Sequence, residues 1–202
     1  MTMKDVKRNH IVESACSLFL EKSIAAVTIK DIALCADVGE ATVYRYFSTR
    51  SELVVACAIR LEEQVEKEFA DPRDAVSGYE KLLRFYGVYL DIFLKNPALY
   101  RFLNEFDAYC INEGAVDLEK YADNLDRFKV LFTDAYDLGL KDGSVSPQEN
   151  IDLFYYTTTH ALLCLCKKLA ASGGITRQDL LTDNADEIRT LNGIILSSLK
   201  GK

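Results

Sequence analysis

Proline occurs three times in this chain, and each proline follows a residue that can cap a helix: Asp71-Pro72, Asn96-Pro97 and Ser146-Pro147. An Asp, Asn or Ser oxygen accepts a hydrogen bond from the first helical turn, where the N–H that proline lacks is not needed. Between these sites apolar residues recur three and four apart, without the alternation of a strand. The pattern predicts an all-α fold with long helices over about 73–95, 97–113, 117–141, 148–171 and 184–200.

The composition fits a globular protein of a reducing compartment. The chain has 202 residues, of which 49% are hydrophobic, enough for a sizeable core. It lacks the run of about 18 apolar residues that a membrane span needs, and its start lacks the apolar stretch of a secretory signal. The six cysteines lie mostly among apolar neighbours, which is typical of buried, reduced thiols. We therefore expect a cytoplasmic protein without membrane contact.

Charge is distributed unevenly along the chain. Residues 1–50 hold seven basic and six acidic side chains, a net charge of +1. The remaining residues hold 17 basic and 25 acidic side chains, a net charge of −8. Phosphate groups are bound by basic surfaces, so any contact with nucleic acid is expected from the N-terminal part.

Two short helices joined by a tight turn are predicted near the N-terminus. The stretch "NHIVESACSLFLEKS" places Ile11, Ala15 and Phe19 on one helical face. A second helix follows in "TIKDIALCAD", where Thr28 is a good N-cap with an acidic residue three positions later. After a turn too short for any other element, a third helix is expected over about 40–46. This order is typical of a helix-turn-helix unit.

The third predicted helix has an outer face suited to a DNA groove. With Val43 and Phe47 facing inward, the wheel places Ala41, Thr42 and Arg45 on the opposite side. Small side chains permit close approach to base edges, and an arginine can donate to guanine or phosphate. Tyr44 and Tyr46 flank this face. Arg50 lies in the first turn of the next helix, which the Thr49-x-x-Glu52 capping box begins, beside N–H groups that favour an anion.

These residues resemble the N-terminal domain of TetR-like transcriptional regulators. The resemblance covers "TIKDIALCADVGEATVYRYFSTRSELVVA" (28–56) and the helix before it. Matching positions are Thr28, Asp31, Ile32, Ala33, Ala36, Val38, Thr42, Val43, Tyr44, Tyr46, Phe47, Glu52 and Leu53. It implies a helix-turn-helix DNA-binding domain over 1–49 and a helical effector-binding and dimerisation domain over 50–202, with a connecting helix over 50–70.

The resemblance also implies partners and site residues. Such a regulator is a homodimer that binds an inverted-repeat operator in double-stranded DNA and leaves it when a small-molecule effector enters the body. The expected DNA contacts come from Thr28, Gly39, Glu40, Ala41, Thr42, Tyr44, Arg45, Tyr46 and Arg50. No cofactor and no metal are expected.

The turn and the start of the third helix depart from the family's pattern. Asp37 stands at the turn glycine and Gly39 at the usual N-cap serine, and both residue types tolerate these positions. Glu40 places a carboxylate near expected phosphates. One interpretation is an acid favoured by the helix dipole that accepts from a cytosine amino group. The other is weak operator binding, or an unusual operator sequence.

Residues 80–165 are rich in Tyr and Phe. Each of these residues fits a helical core, and some are expected to line an apolar effector pocket with polar tips. The candidate pocket residues are Tyr86, Tyr89, Phe93, Phe102, Phe106, Tyr109, Phe128, Phe132, Tyr155 and Thr159.

The last two predicted helices are the expected dimer interface. Apolar residues spaced by three and four form one stripe on each helix. The candidate interface residues are Leu162, Leu165, Leu169, Ile188, Leu191, Ile195 and Leu199. His160 and Cys164 share a helical face, but they supply only half of a metal site.

Two alternatives belong to other classes of function. A helical interaction module with impaired DNA binding fits Glu40 and the low charge of the N-terminal part. A helical enzyme is the other class, but the sequence lacks the G-x-S-x-G, P-loop, G-x-G-x-x-G and H-E-x-x-H motifs. The sequence therefore favours a non-enzymatic DNA-binding regulator.

Overall fold

A computed structural model describes residues 2–69, 76–113, 116–172 and 175–201, and it confirms the all-α prediction. The helices are α1 Met3–Glu21, α2 Ile29–Cys35, α3 Glu40–Tyr46, α4 Arg50–Phe69, α5 Gly78–Lys95, α6 Pro97–Glu113, α7 Glu119–Asp142, α8 Ile151–Ser172 and α9 Asn184–Leu199. Short 3-10 turns cover Ile24–Ala26 and Gln178–Leu180. Over these ranges, no helix has both the length and the apolar character needed to cross a membrane.

A capping box determines where α5 begins, and a proline begins α6. Helix α6 begins at Pro97, as predicted. Helix α5 begins at Gly78, five residues after the predicted start near 73, because Ser77 and Glu80 form a capping box. The Ser77 hydroxyl accepts from the Glu80 N–H at 3.2 Å, and the Glu80 carboxylate accepts from the Ser77 N–H at 3.1 Å. The predicted cap at Asp71-Pro72 lies outside the described residues.

The predicted start of α8 at Pro147 is wrong. The helix begins at Ile151, after Asn150 accepts from the Leu153 N–H at 3.0 Å. Ser146 is used elsewhere, because its N–H donates to the Leu199 carbonyl at 2.8 Å and its hydroxyl donates to the Lys200 carbonyl at 2.9 Å. Pairing with the end of the chain keeps this segment extended.

Packing divides the chain into two compact units. The first contains Met1–Val65 and Arg101–Asn124. Its interior holds Phe19, with the Phe102 ring stacked at 6.2 Å, and the Phe106 ring lies 6.0 Å beyond Phe102. Side chains from the short helices close this core, including Ile32, Val43 and Phe47, each at most 1% exposed. We call it the head unit; the functional boundary predicted at residue 49 remains a prediction.

The second unit contains Glu66–Tyr100 and Leu125–Lys202, and we call it the body unit. Within it, α5, α8 and α9 pack against one another. Gly78 allows the start of α5 to approach α7, because a Cβ there would lie 2.0 Å from the Gly139 nitrogen. The core residues of this unit include Leu82, Tyr86, Phe132, Leu162, Cys166, Ile188 and Leu199.

This packing corrects the predicted dimer stripe. Leu162, Leu169, Ile188, Ile195 and Leu199 are at most 5% exposed within a single protomer, and Leu165 and Leu191 are half-buried. The five buried side chains form the interior of the body unit, so they are not available to a partner. Leu165 and Leu191 remain predicted members of a dimer interface.

The cysteines are less uniformly buried than expected. All six are free thiols, and Cys16, Cys57 and Cys166 are buried. Cys110 is half-buried, whereas Cys35 and Cys164 are exposed. Cys35 and Cys164 lie on the outer faces of α2 and α8. The apolar residues next to them in the sequence do not indicate this exposure.

Candidate nucleic-acid interface

The turn between α2 and α3 has the geometry that the sequence required. Asp37 adopts φ 50°, the left-handed conformation expected of a residue at the turn glycine. Before it, the Thr28 hydroxyl donates to the Asp31 carboxylate at 2.6 Å and the Thr28 N–H donates at 2.8 Å. These two bonds, the hydroxyl first, lower the pKa of Asp31. The carboxylate therefore remains ionised at pH values below the usual titration range of an aspartate, and it keeps the N-terminus of α2 fixed.

Helix α3 presents the predicted inner and outer faces. Val43 and Phe47 are 0% and 1% exposed. Ala41, Tyr44 and Arg45 are exposed, and Tyr44 retains 51% of its area. Thr42 and Tyr46 are half-buried at the flanks, and Glu40 and the N-cap Gly39 are also exposed. A short helix suits a major groove when its outer face has small side chains at one end and a cationic side chain at the other. The individual DNA contacts remain predictions.

An open groove lies beside α3. It has a volume of about 390 Å³ and brings together four predicted DNA-binding residues, Thr28, Glu40, Tyr44 and Arg50. Its other lining residues are Ala25, Val27, Ile29 and Lys30. Two cations and one carboxylate thus share the groove, so Glu40 reduces a positive potential that Lys30 and Arg50 create.

Arg50 has an internal role that its position in the sequence did not indicate. Its Nη2 donates to the carbonyl of Val27 at 3.2 Å and to the carbonyl of Ile24. The guanidinium also lies 5.4 Å from the centre of the Tyr109 ring, within the range of a cation–π contact. Arg50 therefore fixes the loop that precedes α2, in addition to any contact with phosphate.

Helix α6 also holds this loop, through residues that the sequence did not single out for this role. The Glu105 carboxylate accepts from the Ile24 N–H at 2.6 Å, and the hydroxyls of Ser51 and Tyr109 are 2.9 Å apart. Ile24 is 2% exposed, so its N–H depends on this carboxylate. No local pattern could have indicated a bond that spans 81 residues.

We expect Glu105→Ala to destabilise the head unit by about 1 to 3 kcal/mol, because it leaves the buried Ile24 N–H without an acceptor. Operator affinity should fall with it, since this loop leads directly into α2. Thermal unfolding and gel mobility shift measure the two effects. Glu105→Gln should recover most of both through its amide oxygen, and Asn104→Ala, an exposed change on the same helix, should alter neither. Equal stability of Glu105→Ala and the unaltered chain would contradict this role.

The predicted effector-pocket residues fall into both units. Tyr86, Tyr89, Phe132 and Tyr155 lie in an aromatic cluster of the body unit, where the Phe132 and Tyr155 rings are 5.0 Å apart. Phe85 and Phe69, which the sequence analysis did not select, also belong to it. The remaining predicted members of the body unit are Phe93, Phe128 and Thr159.

Phe102, Phe106 and Tyr109 lie in the head unit instead. Phe102 and Phe106 stack within its core, and the Phe106 ring lies 5.1 Å from Tyr121. Tyr109 contacts Ser51 and Arg50. Their side chains therefore have packing roles in the head unit, and their part in an effector pocket remains a prediction.

Residues 11–57 match a family model described as bacterial regulatory proteins, tetR family. The match contains α2, α3, the turn between them and the first part of α4. No curated protein matches the sequence at a significant level.

Solved structures share the fold over almost the whole chain. A TetR family transcription regulator from Marinobacter aquaeolei VT8 is 20% identical, with a TM-score of 0.64 over 98% of this chain and 97% of that one. A putative transcriptional regulator from Saccharomonospora viridis in complex with choline is 19% identical, with a TM-score of 0.74 over 96% and 98%. The ketosteroid transcriptional regulator KstR2 of Mycobacterium tuberculosis is 16% identical, with a TM-score of 0.61 over 96% and 95%.

Proposed function

We propose that the chain is a TetR-like transcriptional regulator, because residues 11–57 match the model of that family, and that it acts as a cytoplasmic repressor. It binds an inverted-repeat operator as a homodimer and leaves the operator when a small-molecule effector occupies its body. The observation that carries this proposal is helix α3, whose inner face is buried at Val43 and Phe47 while Ala41 and Arg45 stand outside.

Helix α3 reads the major groove in this proposal. Ala41 and Thr42 allow the N-terminal turn to approach base edges, and the threonine methyl or hydroxyl contacts them. Arg45 donates to guanine or to phosphate, while the Tyr44 and Tyr46 hydroxyls hold the phosphate backbone on either side. Buried Phe47 fixes the rotation of the helix, so this face cannot turn away from the groove.

The dimer interface is proposed on the outer faces of α8 and α9. On α9 the exposed residues Thr190, Gly193, Ile194 and Ser197 lie opposite the buried face. Ile194 retains 62% of its area, and the three others are small enough for helices to pack closely. The exposed face of α8 contains Leu153, Thr157, His160, Ala161 and Cys164. A twofold axis through these faces packs α8 and α9 of one protomer against α8 and α9 of its partner, four helices in all.

Release of the operator by an effector depends on the separation of the two head units in the dimer. Half-sites about one helical turn apart require a fixed separation of the two α3 helices, so a small displacement lowers affinity. Two relatives support a small-molecule effector, one by its bound choline and one by its description as a ketosteroid regulator. The aromatic cluster of the body unit is the proposed site.

The test is a gel mobility shift with the DNA upstream of the protein's own gene. We expect the unaltered chain to bind this DNA in the presence of competitor. Arg45→Ala should lower the affinity by about 10- to 100-fold, because a specific arginine contact contributes about 1 to 3 kcal/mol. Arg101→Ala removes an exposed arginine from α6 and should leave the affinity unchanged.

A folded dimer that shifts no DNA at low salt would overturn the proposal. That result would favour the alternative of an interaction module whose head no longer binds DNA. A shift that Arg45→Ala and the unaltered chain produce equally would overturn the assigned reading face of α3.

A further inference from the structure

The positive net charge of residues 1–50 comes from the beginning of α1. Residues 2–12 hold three basic side chains and one acidic side chain, a net charge of +2. Residues 13–50, which contain α2 and α3, hold four basic and five acidic side chains, a net charge of −1. A helix-turn-helix with this balance has little general attraction for a polyanion. The segment that favours DNA most by its charge therefore lies outside α2 and α3.

The basic residues lie on the side of α1 that packs into the head unit. Ile11 and Ala15 are 0% exposed. Lys4 and Arg8 precede them at spacings of four and three, so all four residues lie on one stripe of the helix. Lys7 lies beside this stripe, three positions after Lys4. Because Lys4 and Lys7 are exposed and Arg8 is half-buried, the stripe changes from apolar to basic where α1 extends beyond the core.

Arg8 places this stripe beside the end of α3. Its guanidinium carbon lies 4.7 Å from the centre of the Phe47 ring, within the range of a cation–π contact. Phe47 is the C-cap of α3 and directly follows Tyr46. The beginning of α1 therefore lies on the flank of α3 where the Tyr46 hydroxyl is proposed to hold the phosphate backbone.

The two lysines have charges that the fold does not use. Among the ion pairs within the ranges that the structure describes, none includes Lys4 or Lys7. Asp5, the acidic residue of this segment, belongs to the cap of α1, where its carboxylate accepts from the Thr2 N–H at 2.8 Å. Hydrogen bonds from Thr2, the backbone bond first, lower the pKa of Asp5. Its charge therefore stays at the helix terminus, and the two ammonium groups remain available to an external anion.

We propose that Lys4 and Lys7 bind phosphate groups of the DNA backbone next to the C-terminal end of α3. Arg8, stacked on Phe47, holds this end of α1 in place. Contacts to phosphate position a protein on DNA without reading bases, so the two lysines add affinity for every sequence. The inference rests on the proposed function, which supplies the DNA, and deepens it by adding α1 to the contacts expected from α2, α3 and the start of α4.

The test combines Lys4→Gln with Lys7→Gln in one variant of the full chain. Fluorescence anisotropy over a range of salt concentrations measures its affinity for a random duplex and for the DNA upstream of the gene. The loss of two phosphate contacts in each protomer should make the dependence of log affinity on log salt shallower by about 3.6. Affinity at low salt should fall by at least about tenfold, and by the same factor for both DNAs. The control combines Lys95→Gln with Lys141→Gln, at two exposed lysines of the body unit, and should match the unaltered chain.

Three results would overturn the inference. One is an unchanged affinity and salt slope in the variant of Lys4 and Lys7. Another is an equal loss in the control variant, which would show a general effect of protein charge. The third is a loss confined to the upstream DNA, because phosphate contacts do not distinguish sequences. The random duplex tests the inference by itself, whereas equal affinity of the unaltered chain for both DNAs would count against the proposed function alone.

Discussion

Ile194→Lys is expected to convert the protein from a dimer to a monomer at concentrations where the unaltered chain remains dimeric. Ile194 is 62% exposed on the outer face of α9, so a lysine there does not disturb the fold of a protomer. In a twofold interface the substitution places an ammonium group in each half of the contact. Each uncompensated buried charge costs several kcal/mol, so self-association should weaken by about 100-fold or more. Analytical ultracentrifugation measures this change.

Operator affinity should fall together with self-association, because a monomer contacts one half-site and loses the gain from linking two heads. Leu94→Lys is the matched control. Leu94 is 59% exposed on α5, outside the proposed interface, and its substitution should leave both measurements unchanged. If the Ile194→Lys variant remains a dimer, the proposed face is not the interface.

Glu40→Lys is expected to raise the affinity for non-specific DNA by at least about tenfold at low salt. The carboxylate lies in the first turn of α3 and lines the groove beside Lys30 and Arg50. Reversing its charge replaces a repulsion from phosphate by an attraction, each about 1 kcal/mol per pair in water. One added phosphate contact in each protomer should steepen the dependence of log affinity on log salt by about 1.8.

Glu21→Lys tests whether the effect belongs to the position of Glu40. It makes the same change of charge at the exposed end of α1 and should raise the affinity and the salt slope less. Fluorescence anisotropy with a random duplex over a range of salt concentrations measures both. If Glu40→Lys leaves binding unchanged, Glu40 lies off the DNA interface. The interpretation that its carboxylate accepts a hydrogen bond from a cytosine amino group is then wrong.

Local patterns predicted the elements whose hydrogen bonds close within one helical turn. The box at Thr28 and Asp31 forms as expected, and the Thr49 hydroxyl accepts from the Glu52 N–H at 3.1 Å. Helix α6 begins at Pro97, as predicted, because proline is favoured in the first turn of a helix. Pro147 has the same local signal, but pairing of Ser146 with Leu199 prevents a helix there. A strand-like contact with a distant segment therefore prevents a helix from beginning at Pro147, although the local sequence offers a good cap.

The aromatic residues of the body could not be sorted from the sequence. A buried, a half-buried and an exposed tyrosine have the same helical spacing, as Tyr86, Tyr89 and Tyr156 show. Phe69 and Phe85 are not among the predicted pocket residues, because nothing in their local sequence distinguishes them from other core residues. Their neighbours are supplied by α7 and α8, so the cluster exists only in the folded unit.

The sequence by itself determined the helical fold, the turn at Asp37 and the inward direction of Val43 and Phe47, because short-range hydrogen bonds and helical periodicity specify them. Tertiary structure alone decided that Glu105 and Arg50 hold the loop at Ile24. It also decided which apolar face of α8 and α9 is internal. The outer faces also carry apolar residues, Leu153 on α8 and Ile194 on α9, and only packing against α5 distinguishes the interior from the surface.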